Sequence, residues 1–394
     1  MSTTAVVVVA RRGVERLRAG HPWIYRSDVH AVEAAPGALV EMQTERGRPL
    51  GWALWSSTSQ IALRAVGADL DPGDEAGWLA ARLTAAVAYR ETLDLDASAW
   101  RVVHAEADRL PGLVIDRYGD PSGVYLVVQA LCQGMDRRLG LIVDWLQASL
   151  APRGILARHD VKTRALEALD TGVAVLAGEV PDVVHVREGA FTLPTSLRTG
   201  QKTGLFLDQR ENHAAAARYG RGRALDAFTY HGGFALALAG RAESVLALDS
   251  STAAVNATRL HAAANQLTNV EVREANVFDE LRELDVARER FDTLVLDPPA
   301  FARTRGALDR AVAGYKEINL RALKLLRPGG HLLTFSCSFH IDDVTLLEIV
   351  RAAASDAGAM VVVVEKRMQS RDHPVLVGVP ETSYLKGLVL RRVA

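Results

Sequence analysis

The chain has 394 residues, 49% hydrophobic and 24% charged, with a formal net charge of −1, the composition of an ordinary globular protein long enough for two or three domains. That balance excludes a uniformly basic nucleic-acid-binding chain, and two cysteines, Cys132 and Cys337, exclude a disulfide framework or a metal cluster. The longest early apolar run, residues 5–10, is too short to span a bilayer and lacks the cationic start of a signal peptide, so a cytoplasmic protein without a membrane partner is expected.

Residues 1–67 alternate short β-rich runs with turns: TTAVVVVA, GALVEMQ, GWALW and QIALRAV. They predict a small β domain. It carries eight arginines against five acids, a local surplus of three positive charges. Residues 68–77 (ADLDPGDEAG) then hold four acids, a proline and two glycines, a composition shift that marks a boundary. Next come a helix pattern (WLAARLTAAVAYRETL), two strand-like runs (GLVIDRY and GVYLVVQA) and a second helix (GLIVDWLQASL), which predict a small α+β domain. The chain has only six lysines. Arginine suits phosphate recognition, although a compositional bias of the genome explains the preference as well.

From about residue 190 strand and helix alternate regularly. The strand candidates are RALDAF, SVLALD, VEVREA, FDTLVLD, GHLLTFSC, MVVVVEK and LKGLVLRRV; GFALALAGR, TAAVNATRLHAAANQ, YKEINLRALKLL and VTLLEIVRAAASDAG are helical. This pattern predicts an α/β, Rossmann-like, doubly wound and mostly parallel sheet. No helix separates the last two strands, so the final one is expected to run antiparallel. The expected domains are 1–75, 76–188 and 189–394.

In an open α/β sheet, ligands bind beyond the carboxyl ends of the strands. Asp226, Asp249, Asn276, Asp297 and Cys337 fall at or just after five successive strand ends, so five polar side chains should share one rim. The first turn, DAFTYHGGF, carries Gly232 and Gly233, which let the backbone approach a ligand closely. It lacks the G-x-G-x-x-G fingerprint of a pyrophosphate cradle. Asp249, 23 residues after Asp226, has the spacing of an acid that accepts ribose hydroxyls. A nucleoside without pyrophosphate is what S-adenosylmethionine offers.

Asp297-Pro-Pro stiffens the backbone after the fourth strand and holds a carboxylate toward a planar base. Phe335-Ser-Cys-Ser338 is sharper. Carbon 5 of cytosine becomes nucleophilic only after a thiolate adds at C6, which requires a nucleophile below the ring and a hydrogen-bond partner near N3. Cys337 and Asp297 are the candidates for those roles. The plain alternative for Cys337 is a small buried apolar side chain.

Together these residues resemble the large-subunit ribosomal RNA methyltransferase I family, which makes 5-methylcytidine in 23S rRNA and carries an N-terminal PUA domain. The resemblance rests on GHPWIY at 20–25, DRLPGLVIDRYG at 108–119, GQKTGLFLDQR at 200–210, Asp297-Pro-Pro, GYKEIN at 314–319, FSCS at 335–338, DHPV at 372–375 and YLKG at 384–387. It implies S-adenosylmethionine as cofactor and Cys337 as nucleophile. Asp226, Gly232, Gly233, Asp249, Asn276 and Val277 would line the cofactor pocket. Phe228 and Tyr230 in the same turn, Lys202, Asp208 and Arg210 in the 200–210 segment, and Asp297 are further candidates there. The β domain would be the PUA module, with 23S rRNA as partner and a homodimer compatible with it. Trp23, Tyr25, Trp52 and Trp55 would stack on RNA or, for most of them, pack the core.

Three departures stand out: His231 replaces a frequent Thr, Asn276 replaces the Asp that receives the adenine amino group, and the Pro-Cys pair of other cytosine-5 RNA methyltransferases is absent. Two rival readings remain: methylation of a guanine nitrogen, which needs no thiol, and a non-catalytic RNA-binding assembly factor, which need not bind the cofactor.

Overall fold

The computed structural model describes residues 5–30, 32–301, 306 and 308–394. The chain divides into two compact units: Met1–Glu188 with Thr195–Leu207 and Arg371–Thr382, and Gly189–Pro194 with Asp208–Ser370 and Ser383–Ala394.

The first unit holds two five-stranded sheets. One is built from Val6–Val9, Trp23–Tyr25, Leu39–Thr44, Pro49–Trp55 and Ile61–Gly67, with the helix Arg11–Arg18 after its first strand. The sequence pattern does not show that helix or the short second strand. Residues 3 and 4 of the expected first strand lie outside the described residues. The other sheet runs Ala99–His104, Leu113–Asp120, Gly123–Ala130, Gly154–Arg158 and Val173–Gly178 side by side in chain order. The helices Glu75–Glu91 and Leu139–Leu150 bury Trp78, Leu79, Leu83, Ile142 and Leu146 against it. Leu39, Leu54 and Val66 of the first sheet belong to that same apolar cluster, so the two sheets share a core across the acid-rich stretch at 68–77.

Of the four aromatic side chains expected to stack on RNA or, for most of them, to pack the core, Trp55 is buried and Trp23, Tyr25 and Trp52 are half-buried. Trp55 is buried under the guanidinium of Arg26, Arg16 lies 4.5 Å from the Tyr25 ring centroid, and the Trp23 indole donates to Glu106.

The second unit is the doubly wound sheet. Its strands are β1 (Arg223–Ala227), β2 (Ser244–Asp249), β3 (Val270–Glu274), β4 (Phe291–Leu296), β5 (Leu326–Ser336), β6 (Val361–Met368) and β7 (Lys386–Arg392), in the order β3-β2-β1-β4-β5-β7-β6. The pairs among β1 to β5 are parallel, and β7 runs antiparallel to both neighbours. The helices are α1 (Arg210–Ala217), α2 (Gly233–Ala239), α3 (Thr252–Ala264), α4 (Val277–Val286), α5 (Leu308–Leu325) and α6 (Asp343–Ala357).

Strand side chains alternate between two cores, as a pleat demands. Leu225, Leu246, Leu248, Leu294, Leu296 and Leu332 pack with Leu281, Tyr315, Ile318 and Leu346 of α4, α5 and α6. Ala224, Val245, Ala247, Val295, Leu333 and Phe335 pack with Phe234, Ala235 and Leu238 of α2 on the other face. Both faces are covered, which is why strands such as SVLALD read as nearly continuous apolar runs. The strand order reverses between β1 and β4, placing the ligand crevice beyond Asp226 and Asp297. No described helix is long and apolar enough to cross a membrane.

Candidate active site

The turn from β1 into α2 is strained and over-determined. Phe228, Tyr230 and Gly232 all have positive φ, at 67°, 50° and 86°. Two of them are not glycine, and such conformations persist only where surrounding contacts impose them. Here those contacts are plain. The Thr229 N–H donates to Leu248 O and its hydroxyl to Asp226 Oδ2, at 2.9 and 2.6 Å. The Tyr230 N–H donates to Asp249 Oδ2 at 3.0 Å, and Tyr230 O accepts from the Thr258 hydroxyl at 2.8 Å. His261 Nδ1 lies 2.7 Å from His231 O.

The glycines answer to packing as much as to any ligand. A Cβ at Gly232 would stand 2.7 Å from Thr258 Cγ2, and one at Gly233 would stand 2.3 Å from the His213 ring.

Asp226, near the carboxyl end of β1, is fully buried, and burial pushes its carboxyl up to about 6. Its Oδ1 is buried with no hydrogen-bond partner among the described residues. Asp249, at the next strand end, also accepts from the Ser251 N–H at 2.9 Å. Each of its oxygens keeps a lone pair for a further donor.

Asn276 is exposed and caps α4, its Oδ1 accepting the Phe278 N–H at 3.0 Å. Its carbonyl is therefore already engaged as a helix cap. Val277 is buried. Beside them Phe228, Phe278, Phe301 and Tyr315 form a chain of ring contacts, with successive centroids 6.3, 5.7 and 4.7 Å apart. Of this apolar wall, the sequence pattern points only to Phe228.

The 200–210 segment is divided. Lys202 belongs to the first unit, is exposed and stands 4.1 Å from the Phe206 ring centroid. Asp208 and Arg210 belong to the second unit and are buried. The Tyr384 hydroxyl donates to Asp208 Oδ2 at 2.8 Å.

Asp297 is half-buried by surface area, but its carboxyl is enclosed by protein and is pushed up to about 7. Burial is the first cause and the Asp208 charge the next; the cationic form of His213 and a bond from Gln209 oppose it. The charges of Asp208 and Asp226 thus both bear on Asp297, and His213 bears on both Asp226 and Asp297.

Cys337 follows the last residue of β5 and is half-buried. Its thiol points at Pro298 O, 3.9 Å away, so it lies against the backbone of the Asp-Pro-Pro loop. The Tyr315 hydroxyl is 3.0 Å from Ser338 Oγ, and Lys386, only 4% exposed, donates to Ser338 O at 3.0 Å. Tyr315 and Lys386 fall inside the motifs GYKEIN and YLKG, but the pattern gives no reason to choose them. A groove at the opposite, amino ends of β1 to β3, lined by Arg223, Ser244, Asn269 and Glu289, holds none of these groups.

The chain is similar to known proteins along nearly its whole length. The model of the PUA-like domain family matches residues 7–66, and that of the S-adenosylmethionine-dependent methyltransferase family matches residues 129–391. A protein of Tolumonas auensis named ribosomal RNA large subunit methyltransferase I is 38% identical over 403 residues, covering 100% of both chains. Its namesake in Aeromonas hydrophila is 38% identical over 401 residues, covering 99% of this chain and 100% of that one. The crystal structure of the protein SMU.776 complexed with SAH has a TM-score of 0.83 over 98% of this chain and 99% of that chain. Its sequence identity is 18%, a likeness of fold alone.

Proposed function

The chain belongs to the ribosomal RNA large subunit methyltransferase I family and is an S-adenosylmethionine-dependent methyltransferase, and from that premise we propose that it methylates carbon 5 of a cytosine in 23S rRNA through a Cys337 thiolate adduct at C6. One observation carries the reading: a half-buried thiol 3.9 Å from the carbonyl of the residue that follows Asp297. A methyltransferase of a guanine nitrogen has no use for that juxtaposition.

The residues of the crevice fit the cofactor. Asp226 presents a buried carboxylate oxygen without a partner among the described residues, which suits the cationic part of the molecule. Asp249 would accept the ribose hydroxyls, and the rings of Phe228 and Phe278 would border the adenine. The Asn276 oxygen would share its second lone pair with the adenine amino group while capping α4. When bound, S-adenosylmethionine supplies a methyl group on a sulfonium and takes back the carbon–sulfur electron pair.

The protein's own groups do the rest. The Cys337 thiolate adds to C6, and the ring's electron pair moves toward C5 and N3. A carboxyl held near 7 is partly protonated at neutral pH, so Asp297 donates its proton or a hydrogen bond at N3 as charge develops there. C5 then bonds to the methyl carbon. A base takes the C5 proton, the Sγ–C6 bond breaks, any proton taken up at N3 returns to Asp297, and thiolate and aromatic ring are both restored. The ring must leave its stack to reach the crevice, so an unpaired or weakly paired cytosine is the substrate. The PUA-like domain would supply sequence-independent affinity for the RNA backbone.

RNA with 5-fluorocytosine at the target tests this, because fluorine at C5 blocks the final proton loss. The native enzyme with S-adenosylmethionine should form a denaturation-resistant adduct, and Cys337→Ala should form none. Methylation of cytosine by Cys337→Ala at a rate near that of the native enzyme would overturn the covalent reading and favour a guanine nitrogen.

A further inference from the structure

A thiol reacts as its thiolate, and an ordinary cysteine is mostly protonated at neutral pH. The sequence around Cys337 offers only serines on either side. The fold supplies a cation from a distant segment. β7 pairs antiparallel with β5 in a register that sets Lys386 opposite Ser336. The Lys386 ammonium crosses the end of the strand and donates to Ser338 O at 3.0 Å and to Tyr384 O at 3.2 Å. Ser336 and Ser338 are the two neighbours of Cys337, so the charge is clamped to the backbone beside the thiol.

We propose that Lys386 is a positioning residue for the nucleophile: its buried ammonium stabilises the Cys337 thiolate and fixes the backbone that aims it. This rests on the reading of Cys337 as nucleophile. A buried lysine is a poor choice for stability alone, because burial penalises its charge and a methionine would fill similar space. Burial does pull the Lys386 ammonium below the usual lysine range, while the charges of Asp343, Cys337 and Asp342 push it back. The lysine and the thiolate therefore hold each other charged, and the proton lost from Sγ passes to solvent.

Among the described residues, the titratable groups that bear on this pair include Tyr315 from α5, Asp297 from the loop after β4, Tyr384 before β7, and Asp342 and Asp343 before and at the start of α6, with His340 three residues after Cys337 in the chain. Burial holds Tyr315 above its ordinary value, so it stays a neutral hydroxyl. Asp297, held up near 7, carries less than a full charge at neutral pH. Asp342 caps α6 through the Thr345 N–H. The acids oppose a thiolate, and Lys386 is the buried cation that offsets them.

The test needs neither RNA nor cofactor. In full-length protein carrying Cys132→Ala, Cys337 is the sole thiol, and its alkylation by iodoacetamide is followed by mass spectrometry from pH 5 to 10. The midpoint should fall below the free-cysteine value of ~8.5. Lys386→Met should raise it by about one unit or more, slowing alkylation at pH 7 roughly tenfold, and Lys386→Arg should restore most of the rate. Near-ultraviolet circular dichroism checks that each variant is folded. If Lys386→Met does not fold, Lys386→Gln keeps donors for both carbonyls, removes the charge and should shift the midpoint the same way.

A midpoint at or above ~8.5 in the native background overturns the proposal, as does a folded, uncharged variant whose profile is unmoved. The covalent reading fails separately. Absence of a 5-fluorocytosine adduct with a low midpoint sinks the cytosine mechanism and leaves the Lys386–Cys337 pair standing. An adduct with an ordinary midpoint does the reverse.

Discussion

Tyr384 donates its hydroxyl to Asp208 Oδ2 at 2.8 Å, and this bond ties the segment before β7 to the residue that charges the Asp297 site. Asp208 is 3% exposed and Tyr384 half-buried, so the bond is partly shielded from solvent. Tyr384→Phe keeps the ring and deletes the donor. The expected loss is about 1–3 kcal/mol of stability, the range for leaving a buried acceptor short of a partner. Urea unfolding measures it: the midpoint should drop with the slope unchanged. An unchanged midpoint would mean that water replaces the tyrosine without loss.

Gly233 should tolerate no side chain while His213 stays in place. A Cβ there would lie 2.3 Å from an imidazole that is itself buried. Gly233→Ala should cost about 1–3 kcal/mol through overpacking and should weaken cofactor binding by displacing the turn. Adding His213→Ala opens the space, so the double variant should regain part of the melting temperature lost by the single one. If it regains none, the clash is not what the glycine avoids.

Asp249 and Asn276 should separate cleanly. Asp249→Ala removes a charge-assisted acceptor, about 1.5–3 kcal/mol, or roughly tenfold to hundredfold in affinity for S-adenosylmethionine by calorimetry. Asn276→Asp should leave both stability and affinity near native, because aspartate caps a helix as well as asparagine. Asn276→Ala should cost about 0.5–2 kcal/mol of stability through the lost cap. An affinity unmoved by Asp249→Ala would displace the pocket from this rim.

Exposed arginines of residues 1–67 offer a test of RNA binding. Arg18, Arg46 and Arg48 are exposed and belong to the segment with the positive surplus. Changing all three to alanine should weaken binding of an rRNA fragment. The salt dependence should flatten by about 0.7–0.9 in slope for each phosphate that is no longer neutralised. Equal slopes would assign phosphate binding to other residues. Deletion of residues 1–67 is the poorer experiment, because Leu39, Leu54 and Val66 pack in the core of the neighbouring sheet.

What the sequence makes legible is local and periodic. SVLALD marks β2 to the residue because a strand covered on both faces is apolar throughout. The antiparallel final strand follows from the missing helix between MVVVVEK and LKGLVLRRV. The strand-end rule then puts Asp226, Asp249, Asn276, Asp297 and Cys337 at strand ends from their positions in the chain alone. What stays hidden depends on register and on partners far along the chain. Lys386 sits beside Cys337 only because β7 inserts between β5 and β6 with Lys386 opposite Ser336. His213 bears on Gly233 across a turn and a strand, and no spacing rule predicts that. Helix Arg11–Arg18 escapes the pattern because its apolar positions, Val14 and Leu17, are too few to show a period.

Asp297 should make the enzyme less stable as pH rises through neutrality. Its carboxyl is held up to about 7 in the fold, against about 3.9 in an unfolded chain. Between those values the native state keeps a proton that the unfolded state has lost, so stability falls with rising pH across that window. The penalty is complete above about 7 and absent below about 4. Asp226, held up to about 6, adds to the same slope over a narrower range. Asp297→Asn has nearly the same shape and no charge to desolvate. At pH 8 it should unfold at higher urea than the native protein, by about 1–3 kcal/mol after allowing for its partial exposure. Near pH 3.5 the two proteins should nearly coincide, because the carboxyl is then protonated in the fold and mostly protonated when unfolded as well. The sign separates this from a structural role: removing a needed hydrogen bond would destabilise the variant at both pH values. A variant less stable than native at pH 8 would show that the Asp297 carboxylate is satisfied in the fold, and the proton assigned to it at N3 would have to come from another group.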